Sequence, residues 1–237
     1  MSKSFFQFKQ FGIHQDRCAM KVGTDGVILG ALAIADKAAQ MLEIGVGTGV
    51  VSLMMAQRYP KLDITGVEID QETWEQAFEN SKKSPWADRI QFFHIDFKQF
   101  AQKSGRKFDL VISNPPYFSG SLPSPDAKRN VALHQSSLNF EALLGGTIEV
   151  LTDEGELYVI LPPVEMDYFK DLAYQRALFL KKEFIIRDKP NKPILRKLAN
   201  FSCKEGFLGA EELIIKNENG KYSEAYAALL KDFLLIF

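Results

Sequence analysis

From about residue 40 onward, short apolar runs alternate with stretches of helical period. Residues 40–44 predict a strand that ends in a glycine-rich turn, and residues 50–58 a helix. The alternation continues with strand 62–67, helix 71–83, strand 90–94 and strand 108–113, the last closed by Asn114-Pro115-Pro116. Beyond it, 138–151 predicts a helix stopped near Asp153-Glu154-Gly155, 156–161 a strand ended by Pro162-Pro163, 167–177 a helix and 178–187 a strand. In the tail, 198–203 and 212–216 fit strands, with Gly206 and Gly209 turning the chain between them, and 223–231 fits a closing helix. Two prolines within 188–193 break both helix and ladder, so that stretch predicts a loop.

Strands alternating with helices predict parallel βαβ units. The expected architecture is α/β: a doubly wound, mostly parallel sheet of seven strands with helices on both faces. Neither a repeat nor a linker interrupts it. Residues 1–237 are therefore expected to form a single domain, with 1–39 as an N-terminal segment covering the site and 40–237 as the core. Ligands of such sheets bind beyond the carboxyl ends of the strands. Each informative polar residue here follows a strand.

Composition narrows the class. The chain has 237 residues, 46% hydrophobic and 25% charged, enough to bury a large core without cross-links. Its two cysteines, Cys18 and Cys203, make no disulfide framework and no zinc motif, so a reducing cytoplasm and no metal are expected. The longest apolar run, 27–35, is too short for a bilayer, which needs about 20 residues, so no membrane is expected. Net charge is −1, but its distribution is uneven. Residues 1–23 carry Lys3, Lys9, Arg17 and Lys21 against Asp16 alone. Residues 176–204 are rich in lysine and arginine against Glu183 and Asp188. Such flanks suit phosphate contact; the plainer alternative is a solvated face.

The first chemical motif is Glu43-Ile44-Gly45-Val46-Gly47-Thr48-Gly49, directly after the first core strand. Its glycines let the backbone turn tightly and approach a ligand. Glu68 follows the second strand, 19 residues after Gly49, where a carboxylate accepts hydrogen bonds from ribose hydroxyls. Asp96 follows the third and suits the amino group of an adenine. Singly, each acid reads more readily as an ordinary surface acid or a helix cap; together they outline one adenosine pocket. The dinucleotide fingerprint GxGxxG is absent, since Val50 occupies its sixth position. That favours S-adenosyl-L-methionine, an adenosine cofactor without phosphates, over a nicotinamide dinucleotide. Expected cofactor contacts are Glu43, Gly45, Gly47, Gly49, Glu68, Asp96 and Asn114.

The second motif is Ser113-Asn114-Pro115-Pro116-Tyr117-Phe118. The prolines stiffen the turn and fix its carbonyls. An adenine amino nitrogen is a poor nucleophile because its lone pair is delocalised into the ring. The side-chain oxygen of Asn114 and the backbone oxygen of Pro115 suit its two N–H groups, and Tyr117 suits stacking on the base. Catalysis would then be positioning and electrostatics, on a base taken out of its stack. Asn114, Pro115, Pro116 and Tyr117 are the expected catalytic residues. His14, His94 and His134 are expected to be packing or surface residues rather than bases.

These motifs resemble the class I adenine-N6 methyltransferases, whose fold is Rossmann-like. Phe8-Lys9-Gln10-Phe11, Asp16-Arg17-Cys18-Ala19-Met20-Lys21-Val22-Gly23-Thr24-Asp25-Gly26-Val27, Ser84-Pro85-Trp86-Ala87-Asp88-Arg89-Ile90 and Tyr222-Ser223-Glu224 further resemble the bacterial tRNA1(Val) (adenine-N6)-methyltransferases, nearly end to end. The resemblance implies N6-methylation of the adenine just 3′ of the anticodon in a valine tRNA. It also implies that Lys21, Gly23, Thr24 and Asp25 lie against the methionine end of the cofactor. Gln15 stands where a second histidine is expected, and Val46 where threonine is common. For tRNA contact, charge clustering and the flanking prolines single out Lys189, Lys192, Arg196 and Lys197. A monomer is the expected state. The same turn serves enzymes that methylate a protein glutamine or an rRNA guanine, and these remain the nearest alternatives. An oxidoreductase or a non-catalytic RNA-binding protein of the same fold is a more distant one.

Overall fold

The computed structural model describes residues 4–18, 20–116 and 140–237. Two short strands, β1 (Phe5–Gln7) and β2 (Gly12–His14), form an antiparallel hairpin, followed by α1 (Thr24–Leu32). The core then runs β3 (Gln40–Ile44), α2 (Val50–Arg58), β4 (Asp63–Glu68), α3 (Gln71–Lys82), β5 (Ile90–His94), α4 (Phe97–Ser104) and β6 (Phe108–Ser113). After the undescribed residues come α5 (Phe140–Val150), β7 (Leu151–Leu161), α6 (Pro163–Tyr174), β8 (Phe179–Arg187), β9 (Ile194–Ser202), β10 (Ala210–Ile214) and α7 (Glu224–Leu230).

The main sheet has the order β10-β8-β9-β7-β6-β3-β4-β5. β9 alone runs antiparallel to its neighbours. The sheet thus has eight strands, where seven were expected. The extra strand arises because β10 returns beside β8 in parallel register, Ala210 opposite Glu183 through Ile214 opposite Arg187, and covers its outer edge. Side chains alternate between two apolar layers. Met41, Ile64, Leu110, Ile112 and Ile160 face α1, α2 and the N-terminal hairpin. Leu42, Ile44, Val67, Val111 and Val159 face α4, α5 and α6. A strand buried on both faces explains the continuous apolar runs in the sequence.

Boundaries differ where local chemistry competes. The expected stop at Asp153-Glu154-Gly155 lies inside β7, which begins at Leu151 and has an irregular register against Phe108 and Leu110. Gly155 permits that irregularity, since a Cβ there would stand 3.0 Å from the Phe108 carbonyl oxygen. The prolines that end β7 also start α6, with Pro162 at its cap and Pro163 in its first turn, four residues earlier than expected. Asp70, Asp96 and Ser223 cap α3, α4 and α7 by accepting from the backbone N–H groups of Thr73, Gln99 and Tyr226. The turn between β8 and β9 stands at the same edge as the carboxyl ends of β3, β4, β5 and β6.

Candidate active site

Between β3 and α2, Gly45, Gly47 and Gly49 have φ of +74°, +56° and +84°. Side chains other than hydrogen are strained there. A Cβ on Gly45 or Gly47 would meet nothing within 4 Å, so these two border open space; Gly49 instead packs against Phe92 and Ala77 and begins α2. The open space is a cavity of about 220 Å³. It is lined by Gly45, Gly47, Glu68, Asp96, Asn114 and Pro116, over a floor of Ile44, Val67, Ile95 and Phe97. Met20, Ile69, Asp70 and Thr73 complete the wall. The carboxyl ends of β3, β4, β5 and β6 thus converge on one site.

The carboxylates in the wall are held from behind. Glu68 accepts hydrogen bonds from the N–H groups of Gly47 at 3.0 Å, Ile69 at 2.9 Å and Asp70 at 3.0 Å. This ties β4 to the glycine loop. Asp96 uses Oδ1 to accept from Gln99 N at 3.1 Å, so it is a helix cap as well as a cavity residue. Asn114 Oδ1 is buried and has no hydrogen-bond partner among the described residues. Ser113, just before it, donates to the Ile44 carbonyl at 3.0 Å and fixes β6 to β3 beneath the site.

Glu43 lies outside the cavity wall, fully buried under the loop. Its carboxyl accepts from the backbone N–H of Ser52 at 3.0 Å and from the Ser52 hydroxyl, anchoring α2 to β3. Burial pushes its pKa up to about 8, and the Glu68 charge adds to the rise, against the Ser52 hydrogen bonds. Glu43 therefore serves the loop from below. Cys18 is also buried, and burial raises its thiol to about 11, so it is held as a neutral thiol. It donates to Gln76 Oε1 at 3.2 Å.

The other expected site residues are dispersed. Pro115 is buried behind the wall, and Tyr117 lies outside the described residues. Lys21, Gly23 and Thr24 are exposed and do not line the cavity. Asp25 and Arg196, assigned from sequence to cofactor and RNA respectively, are paired with each other at 2.7 Å, joining α1 to β9. Lys197 is paired with Asp167 at 2.7 Å. Sequence clustering of charge cannot register such partners, which come from distant elements. Lys189 and Lys192 stand in the turn between β8 and β9, outside the ion pairs formed among the described residues.

His14 packs its ring on Phe5, His94 packs on Trp74 and contacts the Ile69 carbonyl, and His134 lies outside the described residues. Sequence reasoning missed Met20, Ile69, Asp70 and Thr73 in the wall. Asp70 is a residue type that caps helices and marks the start of α3, but not its place beside the cavity. No group of three or more His, Cys, Asp or Glu residues among the described residues could hold a metal ion, and no helix among them is long and apolar enough to cross a membrane.

The chain is similar to known proteins along most of its length. The family model "Methyltransferase small domain" matches residues 22–173. The tRNA1(Val) (adenine(37)-N6)-methyltransferase of Bacteroides fragilis (strain YCH46) is 41% identical over 241 residues, covering 99% of each chain. The enzyme of the same name from Yersinia enterocolitica is 41% identical over 231 residues, covering 97% of this chain and 92% of that one. Among solved structures, a predicted O-methyltransferase from Agrobacterium tumefaciens aligns with a TM-score of 0.68 at 19% identity, covering 88% of this chain and 96% of that one. A 16S rRNA N2 methyltransferase of T. thermophilus, in complex with AdoMet and guanosine, aligns with a TM-score of 0.56 at 18% identity, covering 81% of this chain and 47% of that one. These structural likenesses concern the fold, which is the Rossmann-like fold of class I methyltransferases. Identity that runs the length of the chain goes further, and the chain belongs to the tRNA1(Val) (adenine(37)-N6)-methyltransferase family.

Proposed function

We propose that the chain transfers a methyl group from S-adenosyl-L-methionine to N6 of an adenine in tRNA, the adenine at position 37 named for its relatives. The observation that carries the reading is the buried, unpartnered Oδ1 of Asn114 at the edge of a cavity walled by glycines and by the carboxylates of Glu68, Asp70 and Asp96. An orphaned acceptor in that place asks for a donor from a ligand.

The residues present fit the cofactor. Gly45 and Gly47 leave backbone open to it, Glu68 suits its ribose hydroxyls, and Asp96 Oδ2 suits its adenine amino group. Bound there, S-adenosyl-L-methionine supplies an electrophilic methyl group on a sulfonium sulfur. Asn114 Oδ1 accepts a hydrogen bond from the target amino group, with the Pro115 carbonyl taking the second. The lone pair of the target nitrogen is thereby drawn out of the ring and aimed. The N–C bond forms as the C–S bond breaks, and the nitrogen then loses a proton to water. Tyr117 is assigned the stacking role on the base. Residues 1–39 act as a segment over the cofactor site of one domain whose core is 40–237. Lys21, Gly23 and Thr24 serve the methionine end where it leaves the cavity. Lys189 and Lys192 meet RNA phosphates. A cytoplasmic monomer fits this role.

The test is methyl transfer from labelled S-adenosyl-L-methionine to unmodified valine tRNA, with nucleoside analysis of the product. N6-methyladenosine beside the anticodon is the expected result. Transfer to a protein glutamine or to rRNA guanine, with none to tRNA, would overturn the substrate assignment and keep the chemistry.

A further inference from the structure

Helix α3 turns a polar face toward the glycine-rich loop. Its buried positions are Thr73, Gln76, Ala77, Asn80 and Ser81. A helix that packs on a core ordinarily buries apolar side chains there. Gln76 and Asn80 are each 1% exposed. Burying a carboxamide is unfavourable unless its hydrogen bonds are made. Here both side chains are engaged at each end. Gln76 Oε1 accepts from Arg17 N at 2.9 Å and from Cys18 Sγ at 3.2 Å, while its Nε2 donates to Asp16 Oδ1 at 2.8 Å. Asn80 Oδ1 accepts from His14 N at 3.0 Å, while its Nδ2 donates to the carbonyls of His14 at 2.9 Å and Thr48 at 3.0 Å.

The two residues are one helical turn apart on the same face. Their partners belong to two segments, the N-terminal stretch 14–18 and the glycine loop. Cys18 Sγ also lies 3.8 Å from the Gly47 carbonyl oxygen, so the segments meet directly. The constraint runs on toward the cavity: Gln15 Oε1 accepts from Val22 N at 2.8 Å, and Met20, between them in sequence, lines the cavity wall. Apolar contact would bury the same surface but leave the segment free to slide. Fully satisfied hydrogen bonds fix direction and register.

We infer that Gln76 and Asn80 are positioning residues of the cofactor site, holding residues 14–18 and the loop between β3 and α2 in one fixed relation. Neither side chain reaches the cavity. They act through Met20 on one side and through the backbone of Gly47 and Thr48 on the other. The inference rests on the reading of that cavity as the S-adenosyl-L-methionine site.

The experiment uses the full chain with Gln76→Met, Asn80→Ala and Asp16→Ala. It measures S-adenosyl-L-methionine affinity by titration calorimetry, KM for each substrate, and amide exchange. Each buried variant is expected to weaken cofactor binding about tenfold, with KM for the cofactor raised alike and KM for tRNA unchanged. Exchange should quicken in 14–18 and 45–49 while β3 and β6 keep their protection. Asp16 is exposed and takes one of these hydrogen bonds, so Asp16→Ala keeps the fold and shows a smaller loss, about threefold. Affinity within about twofold of wild type in every variant that folds overturns the inference, as does a loss accompanied by faster exchange throughout the sheet. If the buried variants do not fold, unchanged affinity and exchange in Asp16→Ala overturns it alone. A wild-type chain that binds no S-adenosyl-L-methionine overturns the cavity reading itself, a result distinct from any of these.

Discussion

Asn114 holds an amide oxygen out of water with nothing to accept from, at a point where folding gains little by keeping it. Removing it should therefore cost the fold almost nothing and the reaction a great deal. Asn114→Ala is expected to lower kcat about 10²–10³-fold, with melting temperature and cofactor affinity nearly unchanged. Near-normal turnover in a single-turnover assay would remove the assigned role. Glu43 makes the opposite case, a carboxyl that serves the fold. Its folded pKa of about 8 lies above the ordinary carboxyl value, so the folded state holds a proton that the unfolded chain has released. Its contribution is fully present below the unfolded pKa and is lost as pH rises through the folded one. Melting temperature should therefore fall from about pH 5 to about pH 8.5, more steeply than in Glu43→Gln, whose side chain carries no charge to bury. Parallel pH curves for the two proteins would refute the assignment. At this scale the sequence was legible where a glycine or a polar residue stands at or just beyond the end of a strand, as Gly45, Glu68, Asp96 and Asn114 do. It was silent on Met20, Gln76 and Asn80, whose roles depend on which segments the fold brings together.

The elements carried their own signals. β3, β5 and β6 end where the apolar runs end, and α3, α4 and α7 start at residues that cap them. The hairpin of β1 and β2 had no such signal: each strand is three residues long, too short for a period to show. The long β7 was hidden because its glycine and acids read as a turn, and tertiary pairing with β6 overrode that reading. Gly66, in the middle of β4, is a similar case, read as an ordinary strand residue. A Cβ there would stand 2.4 Å from Val46 Cγ2 and 2.7 Å from the Phe92 ring. The strand thus has a notch into which the glycine loop is pressed by the side chain of Val46. Gly66→Ala should overpack that contact, cost about 1–3 kcal/mol, and displace the loop enough to weaken cofactor binding. Chemical denaturation and titration calorimetry check both parts. Unchanged stability would mean that the loop yields freely at Val46.

As a whole molecule the chain has no general attraction for a polyanion, its net charge being −1. Contact with tRNA must come from where its cations stand. Of the four charges that sequence clustering picked out, Arg196 and Lys197 are committed to Asp25 and Asp167, which lie 171 and 30 residues away in the chain. Lys189 and Lys192 stand at the sheet edge that also bears the cavity, three strands along from β6. With neighbouring strands about 4.8 Å apart, the two lysines lie roughly 15 Å across the sheet from Asn114, within reach of the backbone of an RNA whose base enters the cavity. The pair Lys189→Glu and Lys192→Glu should weaken tRNA binding more than about tenfold at low salt. It should also reduce the slope of log affinity against log salt by about 1.5, because each phosphate contact releases counterions in proportion. Cofactor affinity should stay as it was. Arg196→Glu is the internal contrast: it sets two carboxylates together where a pair stood, so it should lower the melting temperature and shift the salt slope little. If instead Arg196→Glu flattens the salt dependence while the two turn lysines do not, the RNA path runs over α1 rather than over the turn between β8 and β9.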